Sequence, residues 1–180
     1  FTVIALEEFL LLSEEQRMRV RNPLAITVDD GYRNFYVHAF PLLKQIGLPA
    51  TVYVPVNFVD NRGWMWQDRN KYILRRSKMH RIDIDWNGAS YTLNLTSFEG
   101  LMQGMETVYT ACIKMSLDER EAFSFLLADA AEVDLPDIPE GEFAPLNWDE
   151  ITEMEKHRIY FGSHTMNHEI LTEVDSADAA

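Results

Sequence analysis

The stretch Leu24-Ala25-Ile26-Thr27-Val28-Asp29-Asp30-Gly31 limits the fold more than any other part of the chain. Five small or strand-forming positions without a charge predict a strand buried on both faces, of the kind found inside a parallel sheet. Two carboxylates then follow without a spacer. In α/β sheets, open or closed into a barrel, ligands bind beyond the carboxyl ends of the strands, so Asp29 and Asp30 stand where chemistry is done. Gly31 lets the backbone turn there at no steric cost. Taken alone, Asp-Asp-Gly is ordinary turn chemistry, and its meaning depends on a second, distant stretch.

That stretch is Ile159-Tyr160-Phe161-Gly162, a short apolar strand that delivers Ser163-His164-Thr165-Met166-Asn167-His168. Histidines four apart meet on one face of a helical turn. Both imidazoles can then reach one metal ion, with a carboxylate from another strand end as third ligand and an open position for water. Thr165 stands where a zinc-protease helix would carry its glutamate base, so the pair is not a metalloprotease motif. Thr165 and Asn167 read as groups that orient a ligand or cap the turn. Asp29 and Asp30 would repel one another unless a cation holds one of them. The pattern therefore divides two jobs between them without saying which takes which.

Thr27-Val28-Asp29-Asp30-Gly31-Tyr32 resembles the first motif of the polysaccharide deacetylases, the NodB-homology family or carbohydrate esterase family four, and His164-Thr165-Met166-Asn167-His168 resembles their second. Ala39 to Thr51 is similar to the family's first helix and second strand, and Leu146 to His164 to its approach to the second motif. Val28 departs from the usual Phe. The resemblance covers roughly residues 20–60 and 145–172. It implies a (β/α) barrel, an Asp30, His164 and His168 metal site, Asp29 as general base, and Tyr32 lining the substrate groove. The implied ion is divalent, zinc first, with cobalt, nickel and manganese as alternatives. The implied substrate is an N-acetylated glycan such as chitin-like oligomers, peptidoglycan or an exopolysaccharide, and the implied location is the cell envelope or the secreted space. The family's later motifs, one of which brings the histidine general acid, find no match in Ile170 to Ala180. The resemblance therefore predicts a partial barrel, truncated at its C-terminus, spanning 1–180 as a single incomplete domain. Residues 60–145 form an inserted hairpin and helices within it. Two rival readings are a non-catalytic glycan-binding domain of the same fold and another metal-dependent amidase.

Composition narrows the partners. The chain has 180 residues and is 47% hydrophobic, enough for one sizeable core. Its formal net charge of −13 disfavours nucleic acid, whose phosphates need a positive surface. No run of eighteen apolar residues is present, so no membrane-spanning helix is expected. The acidic start of the chain does not read as a signal peptide. The single cysteine, Cys112, reads as a small buried hydrophobe. Nothing in the sequence fixes an oligomeric state.

Between the motifs, Phe1 to Ile4 reads as an edge strand, Glu7 to Leu12 as a short helix, Ser13-Glu14-Glu15 as a polar turn, and Arg17 to Pro23 as a basic connector. Asn34 to Ile46 has helical spacing, stops at Gly47, and should kink or restart at Pro41. Ala50 to Val56 is the second core strand. Arg81 to Trp86 and Tyr91 to Leu95 alternate around Asn87-Gly88 as a hairpin. Phe98 to Met115 reads as a helix buried along Phe98, Leu101, Met102, Met105, Val108, Tyr109 and Cys112. Ser116 to Glu119 fits a capping box for a helix to Ala131. Asp134 to Pro145 is a loop, and Asn147 caps a helix to about His157. Trp64 and Trp66 read as packing residues, and His38, His80 and His157 as surface or packing residues.

Overall fold

The computed structural model describes residues 1–172. The chain packs as two compact units, residues 1–63 with 138–169, and residues 64–137 with the stretch from Ile170. Its strands are β1 (Thr2–Val3), β2 (Pro23–Leu24), β3 (Thr27–Val28), β4 (Ala50–Val54), β5 (Arg81–Trp86), β6 (Ala89–Asn94) and β7 (Ile159–Ser163). Its α-helices are α1 (Leu6–Leu11), α2 (Glu14–Arg19), α3 (Phe40–Ile46), α4 (Val56–Val59), α5 (Trp66–Arg76), α6 (Phe98–Cys112), α7 (Leu117–Ala130) and α8 (Trp148–Glu155).

The first unit is built on the parallel sheet β3-β4-β7, with Val28 opposite Val52 and Val52 opposite Phe161. The fold is mixed α/β as expected, but among the described residues no sheet closes into a barrel. β4 is the central strand, and Ala50, Val52 and Val54 are buried. Thr51 is fully buried too, and its hydroxyl donates to Glu7 at 2.9 Å, which satisfies a group that would otherwise be costly there. The expectation of one strand buried on both faces over Leu24–Val28 is corrected. Pro23–Leu24 pairs in parallel with β1, the chain breaks at Ala25-Ile26, and only Thr27–Val28 joins β4. β3 lies at the edge of its sheet, which leaves Thr27 exposed and Val28 half-buried.

Ser13-Glu14-Glu15 is not a turn. Ser13 and Gln16 form a reciprocal capping box that starts α2, and the supposed connector begins as its last turn, Arg17 to Arg19. Pro41 restarts its helix as expected: a π-helical stretch Phe35–Ala39 precedes α3, because Pro41 has no N–H to continue an α-helical ladder. Gly47, at φ 69°, ends α3, and Leu48 N–H donates to the Leu43 carbonyl at 3.0 Å. The core of this unit is Phe35, Phe40, Val52, Leu146, Met154 and Ile159 with their neighbours.

In the second unit, β5 and β6 pair antiparallel across Asn87 (φ 49°) and Gly88 (φ 81°), the two left-handed residues of a tight hairpin. α7 starts at the Ser116–Glu119 capping box. α5 has no expected counterpart, because Met65 at its start offers no capping side chain to announce it. The buried stripe of α6 is narrower than expected. Val108 and Cys112 are buried, whereas Phe98, Met102 and Tyr109 are exposed. The helix approaches β6 through Gly104, where an added Cβ would lie 3.2 Å from Leu95, and that contact turns the face. Cys112 is buried as expected, and burial pushes its thiol up to about 11. Trp64 and Trp66 are buried as well.

Candidate metal centre

Asp30, His164 and His168 come together at the carboxyl ends of β3 and β7. His168 Nε2 lies 3.2 Å and His164 Nε2 3.6 Å from Asp30 Oδ1, and one donor atom from each residue lies within 4.8 Å of the others. The imidazole rings meet edge to face at 4.8 Å between centroids. Hydrogen bonding from His168, with charge attraction from both histidines, holds the Asp30 carboxyl below the usual carboxylate range despite partial burial. Asp29 is exposed and stands outside this cluster.

The histidines do not lie on a helical turn. β7 ends at Ser163, and the following loop passes through Thr165 at φ 66° and His168 at φ 57°, both left-handed. Asp30, at φ 76°, is left-handed as well. Such angles cost about 1–2 kcal/mol for a residue with a Cβ, and a β-branched threonine tolerates them least. Contacts on every side hold the loop there. His164 N–H donates to Val54 at 3.0 Å, Val56 N–H to Thr165 at 3.2 Å, and Asn57 N–H to Met166 at 2.9 Å. Asn57 Nδ2 reaches Asn167 Oδ1 at 2.6 Å. The Glu169 carboxylate accepts from the backbone N–H of Asn167 at 2.9 Å and from its side chain at 2.7 Å, and Glu169 N–H donates to Thr165 Oγ1 at 3.0 Å. Thr165 and Asn167 therefore stiffen the loop. Asn57 and Glu169 share that work, and neither carried a signal in the sequence.

The carboxylate side is fixed equally well. Leu146 N–H donates to Gly31 at 2.9 Å, and Arg33 N–H to Ala144 at 2.8 Å, so residues 144–146 run beside the turn after Asp30. Arg33 donates to Glu150 at 2.7 Å, and Glu150 is buried at the start of α8, where Asn147 completes a capping box with it. Tyr32 bridges Pro145 through its backbone and sets its ring edge-on to Phe58 at 5.6 Å. Of the remaining histidines, His38 and His80 are exposed, and His157 packs at 5.9 Å on Phe40.

The donor set suits a small divalent cation. Bonds of about 2.0–2.1 Å at tetrahedral angles place ligand atoms roughly 3.3–3.4 Å apart, and the two distances to Asp30 bracket that value. Three protein ligands of these types leave a fourth position open, the pattern of a catalytic site.

No curated protein and no solved structure matches the chain. A family model does, the polysaccharide deacetylase, over residues 17–98. The match takes in Asp29-Asp30-Gly31 and β4, a little under half of the chain, and stops short of the histidine loop. The resemblance read from the Asp-Asp-Gly motif thus recurs in the family comparison, in which residues 17–98 are similar to the polysaccharide deacetylases.

Proposed function

We propose that the protein is a metal-dependent hydrolase that removes N-acetyl groups from an amino-sugar polysaccharide or oligosaccharide. The observation that carries this reading is the convergence of Asp30, His164 and His168 beside a turn that matches the polysaccharide deacetylases. Asp30, His164 and His168 would hold the ion, zinc first. When bound, it supplies Lewis-acid chemistry, polarising the amide carbonyl and making water nucleophilic near neutral pH. Asp29, exposed and outside the donor cluster, takes the proton from the attacking water as a general base. Water oxygen bonds to the acetyl carbon, the C–N bond breaks, and the proton that Asp29 took from the water passes to the departing sugar amine. Tyr32 lines the approach to the carboxylates. The Asn57, Asn167 and Glu169 contacts keep both imidazoles aimed at Asp30. In this reading residues 60–145 are an insertion within one deacetylase-like domain.

The test is acetate release from the N-acetylglucosamine tetramer by metal-stripped protein before and after zinc is returned. Release should require zinc. Asp29→Asn should keep its zinc and lose about 10²–10⁴ in rate. Acetate release that ignores zinc, or that survives Asp29→Asn unchanged, would overturn the assignment.

A further inference from the structure

We propose that the groove between the tip of the β5–β6 hairpin and α6 is a glycan-binding site in its own right, taking an uncharged, N-acetylated amino-sugar oligosaccharide. The groove lies wholly within the second unit and has a volume of about 710 Å³. One wall is aromatic. Trp86 and Tyr91 fall on the same face of the hairpin, because Ile84 pairs with Tyr91 and Trp86 with Ala89. Ala89 sets only a methyl group directly opposite the indole. Phe123, fully buried, meets both rings edge to face, Trp86 at 5.7 Å and 84° and Tyr91 at 5.9 Å and 79°. Both rings are thereby held in place while remaining half-exposed along the groove.

The other wall is polar. Gln103, Thr107 and Thr110 follow one another at helical spacing along α6, Lys114 lies in the turn just past its end, and all four line the groove. Asn87, at the hairpin turn, reaches Glu119 at 3.4 Å on the rim. The Trp86 Nε1–H is itself shielded from water, so the exposed part of the indole ring, not this N–H, is what the groove offers a ligand. A sugar ring has an apolar C–H face and a rim of hydroxyls. An aromatic wall facing an amide, two hydroxyls and an ammonium group suits both sides of it. Ala111 and Met115 also line the groove and offer an apolar seat for an acetyl methyl. Glu106 and Glu119 against Lys114 leave no positive cluster for an anionic polymer, which sets the choice on a neutral one.

The groove's geometry stands by itself, while the choice of N-acetylated ligand rests on the deacetylase reading. The experiment follows the indole N–H signals of the ¹⁵N-labelled protein during titration with the N-acetylglucosamine tetramer, with the glucosamine tetramer as control. Trp86→Phe, which keeps a ring on Phe123, assigns the signal. The Trp86 N–H should shift saturably. The affinity read at that signal should fall about tenfold in the Gln103→Ala, Thr110→Ala double variant, whose side chains are exposed and leave the core intact. It should be unchanged in His164→Ala. A shift that persists in protein releasing no acetate would uphold the groove while removing the catalytic reading. A Trp86 signal unmoved at the solubility limit of the tetramer would overturn the proposal. So would binding that is lost in His164→Ala and indifferent to Gln103 and Thr110. Equal binding of the glucosamine tetramer would overturn the acetylated ligand class.

Discussion

Gly31 offers the sharpest test of how the Asp-Asp-Gly turn is held. Its φ of 68° is left-handed, and an added Cβ would stand 2.7 Å from Val54 Cγ1 and 3.2 Å from Val54 Cβ. Carbon atoms prefer about 3.5–4.0 Å, and Val54 cannot retreat, because it is buried in the central strand between β3 and β7. Gly31→Ala therefore adds two separable penalties. The backbone angle costs about 1–2 kcal/mol, and the overlap with Val54 about 1–3 kcal/mol, for a total of about 2–5 kcal/mol. The assay is urea denaturation of four proteins: the parent, Gly31→Ala, Val54→Ala and the double variant. Val54→Ala alone should destabilise by about 1–3 kcal/mol through lost packing. In the double variant the 2.7 Å overlap with Cγ1 disappears, while the 3.2 Å contact with Cβ and the backbone penalty remain. The two changes should thus combine to less than their sum, by about 1–3 kcal/mol. A coupling energy indistinguishable from zero would refute the claim that the valine, rather than the backbone angle alone, demands glycine there.

Two further predictions concern the histidine loop and the N-terminal segment. His164→Ala should lower zinc affinity by at least about 100-fold in equilibrium dialysis, and undiminished zinc content would remove the site from this account. Glu8 accepts from the Tyr160 hydroxyl at 2.6 Å and from Arg158 at 3.2 Å, and these bonds hold its carboxyl below the ordinary glutamate value of 4.5. A depressed value in the fold means stabilisation that is complete above the unfolded pKa and lost as pH falls through the folded one. Melting temperature should therefore drop less steeply below pH 4.5 in Glu8→Gln than in the parent, and identical acid limbs would sink the point.

Much of the local structure could be read from side chains that act on their neighbours. The Asn87-Gly88 hairpin, the Ser116 capping box, the Asn147 cap, the Gly47 stop and the restart at Pro41 all depend on chemistry within a few residues, and all are present. The errors came where distant packing decides. Leu24 to Val28 has the composition of a core strand, yet its place at the sheet edge exposes much of it. Phe98 and Met102 share a helical stripe with Val108, but the approach of α6 through Gly104 turns them outward. The candidate site shows the same division. Residue type singled out His164, His168 and the Asp29-Asp30 pair, the choice of Asp30 came from the family resemblance, and Asp30, His164 and His168 do converge. The means differed, since the loop winds left-handed where a helical turn was expected. Asn57 and Glu169 lie far from Asp30 in the pattern and act only through the fold. The absence of later motifs was read from Ile170 to Ala180, and of these 173–180 lie outside the described residues.

The three left-handed residues also bear on engineering. Asp30, Thr165 and His168 are among the positions where replacement by glycine would relieve backbone strain, by about 1–2 kcal/mol each. A screen that rewards only heat resistance would be drawn to them, and two of the three supply donor atoms to the centre. Selection for stability and selection for metal retention would then pull the same codons in opposite directions. Thr165 marks the balance between them: it lies outside the donor cluster, so relaxing it alone would test whether any metal retention depends on a rigid loop as well as on the donor atoms.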